Sequence, residues 1–258
     1  MAVVPLSAGP HGLRPTPDGS AVVVANTGAG TIDVVVTEST TVTATIPVGD
    51  SPAQVAVDGE GRYVYVSLVG ESRVAKVDLA ARQVVASVAV PSPPVQLYLT
   101  PDGGRLLSAD QGTEDEPGDT VSVIDPESMS VVDTVTTGSG PHGVVIDPSG
   151  TRAWVTNLYD DTVSVLDLAT NSVVATVPVG DKPNGISFGP RPPADAPDTV
   201  EVTVPAFAEG AATEGHHGAG ETDDHSGDEG SHGTEGHHGS DSADSAAPSP
   251  ATEEHSHG

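Results

Sequence analysis

Eight of the chain's ten histidines fall within residues 207–258: His216, His217, His225, His232, His237, His238, His255 and His257. The same stretch holds 12 acidic residues, among them Asp223 and Asp224 directly ahead of His225, and it has no Lys or Arg. Neutral imidazoles beside carboxylates are ligands for Zn²⁺, Ni²⁺ and Cu²⁺, and Gly spacers such as those in the twice-occurring TEGHHG (213–218 and 234–239) let several ligands converge on one ion. The sequence has no Cys, so any such site must be built without thiolates. That predicts weak selectivity, more than one ion bound, and an affinity that rises with pH as the imidazoles lose their protons. With almost no apolar content, residues 207–258 cannot offset the entropy of ordering and read as a disordered tail after a folded domain at 1–206. The plainer alternative is an acidic tail that only solubilises.

The other two histidines, His11 and His142, sit in two copies of one phrase, PHGLRPTPDG (10–19) and PHGVVIDPSG (141–150). A second cluster of donors lies in QGTEDEPGD (111–119), which contributes Glu114, Asp115, Glu116 and Asp119, next to Asp110. With Asn157 these residues form a candidate cation site, carboxylates suiting Ca²⁺ and imidazoles suiting Zn²⁺ or Cu²⁺. Ca²⁺ fits less well, because the acidic loop lacks the D-x-D-x-D-G spacing. The competing reading makes Pro-His-Gly a turn and the acidic loop a solvated excursion. The sequence has no H-E-x-x-H and no phosphate-binding loop, which argues against the commonest zinc-protease and phosphoryl-transfer machinery.

These residues are positioned by a repeat. The prolines Pro10, Pro52, Pro94, Pro141 and Pro183 are spaced 42, 42, 47 and 42 residues apart. Turn signals keep the same register, as TPDG (16–19), DGEG (58–61), TPDG (100–103) and DPSG (147–150). So do TIDVVV (31–36), RVAKVD (73–78), TVSVID (120–125) and TVSVLD (162–167). Each unit parses into four short Val-rich strands, and in the fourth these are 143–147, 152–158, 162–168 and 172–179. Four strands in roughly 40 residues are the signature of a β-propeller blade, so the fold class is all-β. In such a meander one face collects His11, Gln54, Gln96, His142 and Asn184 with the second-strand ends Asn26, Ser67, Asp110 and Asn157. The five additional residues of the 47-residue unit fall on that face too, within 111–119.

The phrase P-H-G-x-x-x-x-P-x-G, together with AWVTNL and YVYVSL at the 42-residue spacing, resembles the YVTN repeat family of β-propellers over residues 2–190. The resemblance implies a ring of commonly seven blades, whereas four complete units are present here. Residues 2–6 align with an outermost strand and 184–190 with an innermost one, and TVEVTVP (199–205) reads as a further strand. The favoured expectation is a fifth blade built from both termini; the alternatives are a place within a larger propeller and a ring completed by two chains. Relatives of this kind include lactonases and proteins with haem or copper sites, but no C-x-x-C-H and no mappable lactonase site occurs here. Propeller-based zinc metallochaperones offer a loose analogy for the His-rich tail. Export from the cytoplasm is implied by the resemblance alone, since MAVVPLSAGPHG has neither the basic start nor the apolar core of a signal peptide.

Charge limits the partners. Nine Lys and Arg against 37 Asp and Glu give a net charge of −28, which repels nucleic-acid backbones and favours cations. No apolar run approaches the ~18 residues of a membrane span. The expected function is therefore a non-catalytic binding scaffold with a metal-capturing tail. The alternatives are a module for an unidentified protein partner and a lactonase-type hydrolase at the propeller mouth.

Overall fold

The computed structural model describes residues 3–189. Each of the four repeat units becomes one antiparallel four-stranded sheet. Blade 1 is β1 (Pro10–Pro15), β2 (Ala21–Asn26), β3 (Thr31–Val36) and β4 (Thr41–Pro47). Blade 2 is β5 (Pro52–Val57), β6 (Tyr63–Leu68), β7 (Arg73–Asp78) and β8 (Gln83–Ala89), with a 3-10 turn at Val69–Glu71. Blade 3 is β9 (Leu97–Leu99), β10 (Leu106–Gly112), β11 (Pro117–Asp125) and β12 (Ser130–Thr136). Blade 4 is β13 (Pro141–Ile146), β14 (Arg152–Asn157), β15 (Thr162–Asp167) and β16 (Ser172–Pro178). Strand order within every blade follows chain order. The all-β propeller architecture expected from the repeat is thus present in all four units.

The period-2 alternation of a strand explains why both faces of the inner blades are apolar. In β6, Val64 and Val66 pack toward blade 1, in a core with Val23, Ile32 and Ile46. Its Tyr65 faces the other way, into a core with Leu97, Leu106 and Ile124 of blade 3. Blade 3 repeats the arrangement, as Leu106 faces blade 2 while Leu107, Val121 and Val123 meet Val144, Ile146 and Val155 of blade 4. Three inter-blade cores result, and all of these residues are almost fully buried. Each Val or Leu so buried contributes roughly 1.5–3 kcal/mol against the entropy of ordering.

Irregularities repeat as faithfully as strands. A β-bulge interrupts the pairing of third and fourth strands at Val34/Val35, Lys76/Val77, Val123/Ile124 and Val165/Leu166. The turn that follows places Thr40, Arg82, Met129 and Asn171 at positive φ, between 48° and 55°. Bulges sharpen local twist, and one at the same place in every blade shapes them alike.

Two expectations at the ends are corrected. No strand forms over residues 3–6 or 184–189, because neither segment finds a hydrogen-bonded partner strand. Both nevertheless pack on the blades. The Ser7 amide and hydroxyl donate to buried Asp33 at 2.8 and 3.1 Å. Ile186 lies against Gly143, and the Phe188 ring sits 5.6 Å from Trp154. The strand expected at 199–205, the boundary at 206/207 and the whole His-rich segment lie outside the described residues.

Candidate functional site

The polar face begins with the Pro-His-Gly turns. Pro10 pairs with Asn26 and Pro141 with Asn157, which fixes His11 and His142 at the same place in blades 1 and 4. The Nδ1 of His11 donates to the Ala53 carbonyl of blade 2 at 2.9 Å, a donor role that a carbonyl partner imposes on the tautomer. The residue 42 positions on from His142 is Asn184, whose backbone carbonyl neighbours the ring. Burial lowers the His142 pKa, the Asn184 carbonyl opposes that shift, and the charge of His11 adds to it. The Nδ1 of His142 is buried with no hydrogen-bond partner among the described residues.

The glycine of the motif is a matter of space. A Cβ on Gly12 would collide with the Ala53 carbonyl oxygen and the Gln54 side chain. On Gly143 it would come within 2.9 Å of the Thr156 hydroxyl and 3.3 Å of the Asn184 oxygen. The next stretch of chain, β5 at Gly12 and residues 184–186 at Gly143, passes too closely for a side chain to fit without displacement. Pro-His-Gly therefore works as a joint: proline opens the strand, glycine admits the neighbour, and His11 bonds the neighbour's backbone.

Second-strand ends form a buried polar layer beneath the joints. Asp110 is fully buried and accepts from Ser122 at 2.6 Å, Ser108 at 2.7 Å and Thr120 at 3.4 Å. Burial pushes its carboxyl up to about 7 despite those hydroxyls, which favour the charged form. Asn157 holds the corresponding position in blade 4 and donates to Thr162 and Ser164, both at 2.9 Å. The Oδ1 atoms of Asn26 and Asn157 are buried without a partner among the described residues. Blade 2 differs from the sequence-based alignment: Leu68, not Ser67, stands opposite Pro52. Ser67 sits one step earlier, and its hydroxyl bonds Gln54 and the Val95 carbonyl of blade 3.

The acidic insertion is more ordered than the solvated loop expected for 111–119. It lengthens β10 and β11 into a hairpin whose tip closes through Thr113 N–H to the Glu116 carbonyl at 3.0 Å. Gly112 turns the strand at φ 73°, where an added Cβ would strike Gly118. Glu114, Asp115, Glu116 and Asp119 are all exposed. Glu114 pairs with Lys182 at 3.4 Å across an exposed surface, an interaction worth little. Among the described residues no three His, Asp or Glu side chains come together as a metal-ligand set. His11 and His142 thus occupy matching joints of blades 1 and 4, Asp110 and Asn157 are buried at second-strand ends, and the carboxylates of the insertion are exposed. The eight tail histidines, Asp223 and Asp224 lie outside the described residues.

Three inter-blade bolts were not anticipated. Lys76 packs over Tyr63 at 4.3 Å and donates to the Pro126 carbonyl at 2.7 Å, joining blades 2 and 3. Arg105 joins blades 3 and 4 through the Leu168 carbonyl and the Asn171 side chain. Thr27 bonds the Pro52 carbonyl at 2.7 Å, between blades 1 and 2. The signal available in the sequence was scarcity: Lys76 and Arg105 are two of only nine Lys and Arg in the whole protein.

No protein-family model matches the sequence. It is 30% identical over 142 residues to the seven-bladed beta-propeller protein Rv1057 of Mycobacterium tuberculosis, a match covering 54% of this chain and 35% of that protein. Hydrazine synthase of Kuenenia stuttgartiensis superposes with a TM-score of 0.63 at 25% identity, covering 69% of this chain and 51% of that one. A functionally unknown protein from Desulfotomaculum acetoxidans superposes with a TM-score of 0.61 at 18% identity, covering 71% of this chain and 61% of that one. The chain spans about a third of the length of the curated relative, 35%. With four meander blades in series, three apolar inter-blade cores and these likenesses, the protein is a β-propeller by fold.

Proposed function

We propose that this protein is a YVTN-type propeller scaffold that carries a metal-capturing segment, residues 207–258, with Zn²⁺, Ni²⁺ or Cu²⁺ as its cargo. One observation carries the reading: eight of ten histidines and 12 carboxylates are concentrated in a stretch without a single Lys or Arg. The propeller supplies a rigid mount, and in it His11 is committed through Nδ1 to the next blade. That commitment supports a structural role for the joints and leaves ion capture to the tail. The repeat phrases at 42-residue spacing support the YVTN assignment, and the seven-bladed relative favours membership of a larger ring over closure at five blades.

The test is calorimetric titration of Zn²⁺, Ni²⁺ and Cu²⁺ into the full-length protein and into a full-length variant with the eight tail histidines changed to Ser. Binding of more than one ion with proton release, abolished in the variant, supports the proposal. Equal binding by both proteins overturns it.

A second reading rests on the surface of blade 4, where Val174, Val177, Val179 and Phe188 are more than two-fifths exposed. Apolar side chains grouped on one blade favour contact with a protein partner, and the tail would then serve solubility. Partner binding that survives the eightfold His→Ser change would favour this reading.

A further inference from the structure

We infer that Asn184 is a site of spontaneous backbone modification, deamidating through a succinimide that its own neighbour Gly185 forms. The reaction needs an Asn side chain, a following backbone nitrogen free to attack it, and a backbone able to bend at that point. Asn184-Gly185 is the only Asn-Gly pair in the sequence. Both residues are exposed and lie outside any strand. Among the described residues the Gly185 amide donates to no acceptor, and a Cβ added to it would meet nothing within 4 Å.

The rest of the fold shows what protection looks like. Asp18, Asp58 and Asp102 also precede glycine, and each could in principle cyclise in the same way. Their carboxylates are held in turns: Asp18 by Thr16 and the Ser20 amide, Asp58 by the Arg62 and Tyr63 amides, Asp102 by Thr100 and the Gly104 amide. The attacking nitrogens of Gly19 and Gly103 are themselves engaged, donating to the Thr16 and Thr100 carbonyls at 2.9 and 2.8 Å. Asn26 and Asn157 are fully buried, and the side chain of Asn171 is tied to Arg105 and Asp133. Only Asn184 has the sequence, the exposure and the free nucleophile together.

The step balances with water alone. The Gly185 nitrogen bonds to Cγ of Asn184, the Cγ–Nδ2 bond breaks, and ammonia leaves with the proton that Gly185 gave up. Water then opens the ring at one of its two carbonyls, yielding Asp or isoaspartate at 184. Either product adds a carboxylate at 184, next in space to His142, and isoaspartate also lengthens the backbone by one carbon. The added length falls just before Ile186 and Phe188, the residues that seat this segment on Gly143 and Trp154.

The full-length protein should be aged at mildly alkaline pH and mapped by peptide mass spectrometry, with isoaspartate detected enzymatically. The expected result is an amide-to-acid mass change confined to Asn184, with the three Asp-Gly turns unaltered until the protein is unfolded in urea. Fluorescence from Trp154, the only tryptophan, should shift in step with isoaspartate formation. Gly185→Leu, whose Cβ would meet nothing within 4 Å, should slow the change several-fold without altering the fold. The inference is overturned if Asn184 stays intact in the folded protein while the urea-unfolded protein deamidates there, or if G185L deamidates as fast as the native sequence.

Discussion

The Nδ1 of His11 lies 2.9 Å from the carbonyl oxygen of Ala53, one 42-residue repeat further along the sequence. A histidine in this position is a fastener between blades. His11→Ala should cost about 1 kcal/mol, the usual net value of one hydrogen bond, read as a lower urea midpoint with an unchanged slope. Gly12→Ala should cost more, at least about 2 kcal/mol, because its Cβ meets the backbone carbonyl of Ala53 with no room to yield. If Gly12→Ala is the milder of the two, the joint is not packed as described.

Asp110 predicts a pH dependence of unusual sign. Its carboxyl titrates near 7 in the fold, well above the ordinary 3.8, because burial penalises the charge. The folded state therefore holds this proton more tightly than the unfolded state does. Its stabilising effect is complete below about pH 4, declines as pH rises toward 7, and is gone above it. Asn already occupies the matching place in blades 1 and 4, as Asn26 and Asn157. Asp110→Asn should abolish the slope and make the protein more stable than native at pH ~8, by on the order of 3 kcal/mol. Subtracting the two stability–pH curves isolates this group from exposed carboxylates such as Asp18 and Asp102, whose pKa values are lowered and whose slopes run the other way.

The repeated left-handed turn offers a stabilising substitution. Thr40 sits at φ 51°, where a β-branched residue is strained, while Asn171 fills the same position in blade 4. Thr40→Asn should raise the melting temperature, gaining about 1 kcal/mol, because Asn tolerates this region and the Thr40 side chain is exposed. A fall in melting temperature would contradict the strain argument.

How much of this was legible in advance follows from how each feature is encoded. Strands and turns were readable because Pro10, Pro52 and Pro141 and the DPSG-type turns repeat in register, and four copies average out local ambiguity. The offset of Leu68 was not, because an apolar residue replaces the polar one that marks its place in the other three blades. The hairpin at 112–117 was hidden because its ordering depends on the backbone of Gly112 and Gly118, which composition reports only as a loop. The joint at His11 was foreseen as a turn, but its partner Ala53 has no side-chain signal at all, since it contributes a carbonyl. The Ser7–Asp33 clasp was missed for a related reason, as Asp33 stands where the other blades carry Ala75, Ser122 and Ser164.

The most direct test of the division of labour is to follow all ten histidine rings by long-range proton–nitrogen NMR during a Zn²⁺ titration of the full-length protein. The rings of His216, His217, His225, His232, His237, His238, His255 and His257 should shift at the first additions, while His11 and His142 hold their positions. Early shifts at His11 and His142, with the tail rings unmoved, would contradict the account and place the metal at the propeller mouth.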